Sequence, residues 1–439
     1  PMNTRISALY QNWIETLHLG LRSTMARNAA SLYLIQFANY IVPLIMVPYL
    51  VRVLGPAGYG AVAFAQGFIN YLMLFVEYGF DWSATRKISV YRESLEIVNE
   101  TALHVWAAKG LLTLLGFVVL VALVALVPKL NEVKWLLMAL YGLVLGNALF
   151  PTWLFQGMER MVAISIINLA MKVAALVGVF LLIRRPEDTL IYAGLMGGEA
   201  IVAGLTGMVV AARMFRLKIA RISWKGIRET LREGWVLFLS KASVSLYTVG
   251  NAFILGILAS HTAVGYYSAA EKIVKSILGL LGPVAQAAYP RFSKLAAESR
   301  EQTLMWGRRM LMGMGGMGLL LTLGVLWGAP LISSILLGPK FEPSIAIMRI
   351  LAPIIFLIAM SNVLGIQIML PLGKDRAFTL ILFTAGILNI SLALLFAPTW
   401  QALGMGIAVL ISELFVTATM YFYLQLQGVT LFAIRKTKA

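Results

Sequence analysis

Apolar residues fall in twelve runs of membrane-spanning length, separated by short polar stretches. A helix needs roughly 20 mainly apolar residues to cross about 30 Å of hydrocarbon. In the first half of the chain the runs lie at about 28–54, 58–82, 101–127, 133–155, 163–183 and 190–212. In the second half they lie at about 234–259, 264–289, 309–336, 344–371, 376–397 and 401–426. Gly-Pro pairs punctuate run ends at Leu54-Gly55-Pro56 and Leu337-Gly338-Pro339. Shifting the first half by 207 residues brings its six starts to 235, 265, 308, 340, 370 and 397 and lays Gly58-Tyr59 on Gly265-Tyr266. Six runs per half is an even number, so both halves cross with the same orientation. The pattern predicts an all-α polytopic membrane protein with 12 transmembrane helices in two pseudo-symmetric six-helix lobes, a transporter architecture. The expected organisation is a cytoplasmic tail or surface helix (1–27), a first lobe (28–212), a basic cytoplasmic linker (213–233), a second lobe (234–426) and a basic cytoplasmic tail (427–439).

Charge fixes the orientation. Of 36 Lys and Arg residues, 24 fall in the two tails and the even-numbered loops, against 5 in the odd-numbered loops. Cations favour the cytoplasmic side, so both termini are expected there. The net charge of +17 is then a property of cytoplasmic loops, and nucleic acid is not expected as a partner. Composition agrees: 60% of residues are hydrophobic and 13% charged, far below the roughly 25% charged of soluble domains. Cysteine is absent, which excludes disulfides, thiolate metal sites and cysteine nucleophiles. His18, His104 and His261 show no ligand spacing, so no metal is expected.

With Lys134, Arg309 and Arg376 at run edges counted to the loops, seven cations remain inside the runs: Arg52, Lys109, Lys172, Lys241, Lys272, Lys275 and Arg349. A charge at mid-membrane costs about 2.5–3.5 kcal/mol, so such residues face a protein interior or a wet cavity. Fewer acids share those runs: Glu77, Glu199, Glu271 and Glu413, with Asp81 at a helix end. The expected interior is therefore net positive and suited to an anion. Lys and Arg bind phosphate oxygens directly, which makes a diphosphate the natural ligand. Structural roles compete: Lys241 is within snorkelling reach of one interface, Arg52 and Arg349 lie near run ends, and Glu271-Lys275 has the i,i+4 spacing of a helical pair. Glu77, Glu271 and Glu413 are candidates for carrying a coupling ion, H+ or Na+, with Cl- as a counter-ion candidate for the cations. No other cofactor is expected. Pro43 and Pro48 in the first run and Pro283 in the eighth are expected to kink their helices.

Six stretches carry a resemblance. They are Asn39-Tyr40-Ile41-Val42-Pro43-Leu44, Pro48-Tyr49-Leu50-Val51-Arg52-Val53-Leu54-Gly55-Pro56, Glu77-Tyr78-Gly79-Phe80, Trp153-Leu154-Phe155-Gln156-Gly157, Ala288-Tyr289-Pro290-Arg291 and Ser361-Asn362-Val363-Leu364-Gly365-Ile366-Gln367. In this order they resemble the bacterial O-antigen flippases (Wzx type) of the multidrug/oligosaccharidyl-lipid/polysaccharide exporter superfamily. The resemblance covers about residues 28–426. It implies a MATE/MurJ-like fold, a V-shaped cationic cavity, an undecaprenyl-diphosphate-linked oligosaccharide as substrate, a Gram-negative inner membrane and coupling to an ion gradient. Arg52 matches a basic position of the family's first helix, and Glu77 an acidic position of its second. An O-antigen polymerase and a chain-length regulator are the implied protein partners. Three alternatives compete: a flippase for another lipid-linked glycan (lipid II, enterobacterial common antigen or a capsule unit), a drug/cation antiporter, and a membrane polymerase or ligase. The basic interior disfavours cationic drugs. Short odd-numbered loops poor in His, Asp and Glu disfavour an enzyme.

Overall fold

A computed structural model describes residues 24–218 and 222–429; the expected tails at 1–23 and 430–439, and linker residues 219–221, lie outside this range. Sixteen α-helices occur among the described residues. The first half contains α1 (Thr24–Glu77), α2 (Phe80–Val90), α3 (Leu95–Leu126), α4 (Pro128–Glu132), α5 (Lys134–Leu149), α6 (Thr152–Gly157), α7 (Met161–Leu182) and α8 (Thr189–Met214). The second contains α9 (Trp224–Thr248), α10 (Asn251–Leu258), α11 (His261–Leu278), α12 (Gly282–Glu298), α13 (Arg300–Ile332), α14 (Ser344–Leu351), α15 (Pro353–Asn362) and α16 (Asp375–Leu426). Lipid offers no hydrogen-bond partners, so a spanning segment must satisfy its own backbone, and helices do so. Eight helical segments of the described residues are long and apolar enough to cross a membrane. Their large exposed side chains, such as Leu114, Leu320, Trp327 and Leu395, form the surface that lipid covers.

The breaks follow glycine and local strain more than proline. Helical dihedrals run through Pro43 and Pro48, and α1 departs from them at Gly55 (φ 68, ψ 174). The one non-helical break inside α1 is at Gly55 rather than at either proline. Its positive φ suits a residue without Cβ, and Pro56 then opens the following helix with its preset φ. Pro283 does sit at a break: a 3₁₀ turn, Gly279–Leu281, separates α11 from α12. The long α16 turns at Gln401 (φ 46, ψ −122). Helix α9 starts ten residues before the expected seventh run, so much of the basic 213–233 segment is helical.

Small residues set the tightest packing. In the first half, Gly142 and Gly146 of α5 meet Gly197, Ala200 and Gly204 of α8 backbone to backbone; a Cβ on Gly142 would come 2.6 Å from the Gly197 Cα. Such spacing lets helices approach where lipid gives no hydrophobic drive. Between the halves, α1 packs along α11, with Gly60 against the His261 carbonyl and Gly265 against the Pro56 carbonyl. This seam is where the two halves face one another.

Candidate transport path

Two chambers lie beside the seam. The first, about 280 Å³, is lined by Tyr59 and Gln66 of α1, Lys172 of α7, Tyr192 and Glu199 of α8, and Lys272 of α11. The second, about 250 Å³, is lined by Glu77, Asp81, Lys109, Asn147, Asn168 and again Glu199. Glu199 therefore forms part of both walls. A smaller cavity of about 90 Å³ within the second half is lined by Asn251, Tyr267, Glu271, Lys275 and Glu413.

The second chamber is built by a corner. Tyr78 (φ 48) and Gly79 (φ 78) turn the chain between α1 and α2. That turn seats on α9: a Cβ on Gly79 would lie 2.8 Å from the Leu237 Cβ, and the Tyr78 ring stacks on Phe238 at 4.9 Å. One turn further along α9, Lys241 reaches back across the seam. Its Nζ lies 3.3 Å from Glu77 Oε1 and 3.5 Å from Asp81 Oδ2, so one ammonium binds the two carboxylates that the corner brings together. Lys109 is buried, and its Nζ donates to the Asn147 carbonyl at 3.3 Å. Asn147 lies in the last turn of α5, where carbonyls lack helical partners and the helix dipole is negative, so Lys109 caps that helix.

The sequence-predicted cations divide by what the fold gives each of them. Lys172 and Lys272 face the first chamber from opposite halves. Lys275 pairs with Glu271 at 2.9 Å, as the i,i+4 spacing predicts, and Glu271 also accepts from the Tyr267 hydroxyl at 3.1 Å. Arg52 and Arg349 are not among the lining residues of these cavities. The exposed Arg52 guanidinium donates to the carbonyl of Ile335, in a π-helical turn after α13. Arg349 Nε donates to the Leu326 carbonyl at 3.3 Å. Leu326 is four residues before Pro330, which has no N–H to offer it, so Arg349 satisfies the carbonyl that the proline leaves open. Each arginine is instead engaged by helix-end or proline-freed backbone.

The expected positive surplus is also smaller than the sequence suggests. Lys109 and Lys241 are met by Glu77 and Asp81, and Lys275 by Glu271, with Glu413 on the same cavity wall. Among the described lining residues of the three cavities, lysines outnumber carboxylates only in the first chamber, where Lys172 and Lys272 stand with Glu199. Sequence reasoning placed no weight on Glu199 or Asp81. Asp81's position after a Tyr-Gly corner was a readable signal; Glu199's role depends on helix packing.

The halves touch at both ends of the chambers. At one end are the corner on α9, Lys241 and the Lys87–Glu233 pair at 3.2 Å. At the other, Tyr59 and Tyr266 both set their ring edges on Phe341, and His261 Nε2 lies 3.4 Å from Glu132 Oε2. Tyr59 and Tyr266 are the residues that the 207-residue shift superposes.

Known proteins share this fold. The fold resembles a lipid II flippase MurJ in an inward closed conformation, with a TM-score of 0.74 at 12% identity over 91% of this chain and 87% of that one. It also resembles an inward-facing MATE multidrug resistance transporter of the MOP superfamily, with a TM-score of 0.56 at 15% identity over 91% of this chain and 100% of that one. At these identities the likeness concerns the fold, which is MurJ/MATE-like. In sequence, a protein of Escherichia coli (strain K12) named "Putative O-antigen transporter" is 30% identical over 402 residues, 92% of this chain and 97% of that one. Residues 25–296 match the family described as polysaccharide biosynthesis protein. With most of its length aligned to a transporter relative and its fold that of flippases and exporters, this multi-pass membrane chain belongs to the polysaccharide biosynthesis protein family.

Proposed function

We propose that the protein flips undecaprenyl-diphosphate-linked O-antigen repeat units from the cytoplasmic to the periplasmic leaflet of a bacterial inner membrane. The observation that carries this reading is Lys172 and Lys272 facing one chamber from the two halves, with positive charge in excess there. A diphosphate held between them is bound by both halves at once, so binding is coupled to their relative position. The sugar head cannot cross about 30 Å of hydrocarbon without a polar path, and the two abutting chambers offer one. The polyprenyl tail stays in lipid.

In this reading the chain crosses the membrane twelve times, because α1 and α16 each turn within their length at Gly55 and Gln401. Six crossings per lobe and the positive-inside bias put both termini in the cytoplasm. The Tyr78-Gly79 corner and Lys241 then close the cytoplasmic end, and Phe341, Tyr59 and Tyr266 the periplasmic end. Alternating access opens one set of contacts while the other holds. Glu77, Glu271 and Glu413, the first with Asp81 beside Lys241, are the proposed carriers of a coupling H+ or Na+. The transport role requires no catalytic residue. An O-antigen polymerase and a chain-length regulator would receive the product.

The test is a proteoliposome flipping assay with lipid-linked repeat units. Wild-type protein should move them, and a Lys172→Ala/Lys272→Ala variant that still inserts and purifies normally should not. Normal flipping by that variant would sink the proposed cation site. Lipid II as a competing substrate separates O-antigen units from another lipid-linked glycan.

A further inference from the structure

Glu199 lies near the middle of α8 and lines both chambers. It is the one carboxylate on the wall of the first chamber, where Lys172 of α7 and Lys272 of α11 also stand. Two like charges at mid-membrane raise the cost of an empty chamber, and a carboxylate on the same wall lowers it. The same carboxylate competes with any anion for the lysines. It also has somewhere to go: the second chamber, whose wall it shares, offers the polar groups of Asn147, Asn168 and Lys109.

We propose that Glu199 is a positioning residue that acts as an internal counter-anion to the two lysines of the first chamber, yielding to the lipid diphosphate when it arrives and competing with it again to release it. This rests on the flippase reading and adds how the bound anion leaves. A carrier with two lysines and no competitor binds tightly and releases slowly. A competing carboxylate trades affinity for turnover, because an interaction made equally before and after translocation contributes nothing to rate. The isosteric Glu199→Gln change removes the competitor while keeping the shape of the wall.

The experiment uses the purified full-length protein with farnesyl diphosphate as the binding probe, inorganic pyrophosphate as its lipid-free counterpart, and the flipping assay for turnover. Glu199→Gln is expected to bind farnesyl diphosphate about ten-fold tighter, equivalent to about 1.4 kcal/mol, and to lower KM and kcat together. Glu199→Asp, with its shortened reach, should fall between. In a Lys172→Ala background the Glu199→Gln gain should shrink, since only Lys272 is left to compete for. The gain should be the same with pyrophosphate, because the exchange concerns the diphosphate alone. Unchanged or weaker binding in Glu199→Gln, a gain undiminished without Lys172, or a gain confined to the farnesyl probe overturns the proposal. If wild type and Lys172→Ala bind the probe equally, the flippase site itself fails. If Lys172→Ala weakens binding but Glu199→Gln changes nothing, the role of Glu199 fails alone.

Discussion

The two chambers share a wall and almost a volume, yet their charges have different jobs. In the second chamber Lys109 caps α5, and from the seam Lys241 bridges that chamber's Glu77 and Asp81, so these two cations are committed to the fold. In the first, Lys172 and Lys272 approach from opposite halves against one carboxylate. A lysine near membrane depth is evidence that something polar is nearby, but the neighbour decides what that is. Counting cations within the apolar runs therefore overstates the anion site, while asking which of them line one chamber from both halves narrows it to a pair.

Removing both lysines of the first chamber is the largest expected effect. Truncating a charged partner of a desolvated ionic contact costs about 2–5 kcal/mol, so Lys172→Ala/Lys272→Ala should lower flipping by at least about 30-fold. Thermal stability should hold or rise, because two like charges leave the membrane interior. The contrasting variant is Lys241→Ala. It strands Glu77 and Asp81 side by side at the seam, and since all three side chains are 20–26% exposed, the cost should be about 1–2 kcal/mol rather than the full buried-pair penalty. A melting temperature a few degrees lower, restored by adding Glu77→Gln and Asp81→Asn, would mark Lys241 as a structural bridge. Equal stability of Lys241→Ala and wild type would erase the distinction between the chambers.

Much of this was legible in the sequence, for physical reasons that also explain the misses. Apolar length is a one-dimensional property, and most apolar runs reappear as helices. The Glu271–Lys275 pair was legible because i,i+4 geometry is local to one helix. The place of Glu199 in two walls was not, since it depends on where α5, α7, α8 and α11 meet. Arg52 and Arg349 were read as ligands because a sequence shows a charge but not the carbonyl across from it. Half of the Arg349 contact was nonetheless visible: Pro330 inside a helix announces an open carbonyl at Leu326, four residues back. Pro43 and Pro48 were expected to kink α1 because proline lacks an N–H; the sharp turn in that helix falls at Gly55, which carries the positive φ such a turn needs.

That open carbonyl gives the next smaller effect and a sharper test of which cations serve the fold. Arg349→Ala should cost about 1 kcal/mol of stability, the net worth of a hydrogen bond, and leave flipping intact. In a Pro330→Ala background residue 330 regains its N–H and Leu326 its helical partner, so the same Arg349→Ala change should cost clearly less. An identical cost in both backgrounds would break the link between the arginine and the proline.

The smallest effect concerns the far end of the seam. His261 opens α11 ahead of the eighth apolar run and faces Glu132 and Lys129 of α4. Burial pushes its imidazole below the ordinary histidine range, outweighing the nearby Glu132 carboxylate, which pulls the other way. The unfolded chain then binds a proton more readily than the folded one below about pH 6.5, so stability falls as pH drops through that range. Melting followed between pH 8 and pH 5 should show a shallow loss in wild type that His261→Gln removes. If burial were instead overcome by Glu132, protonation would strengthen the contact and the slope would reverse. The sign of that slope thus decides whether acid loosens or tightens the end of the molecule opposite the Lys241 bridge.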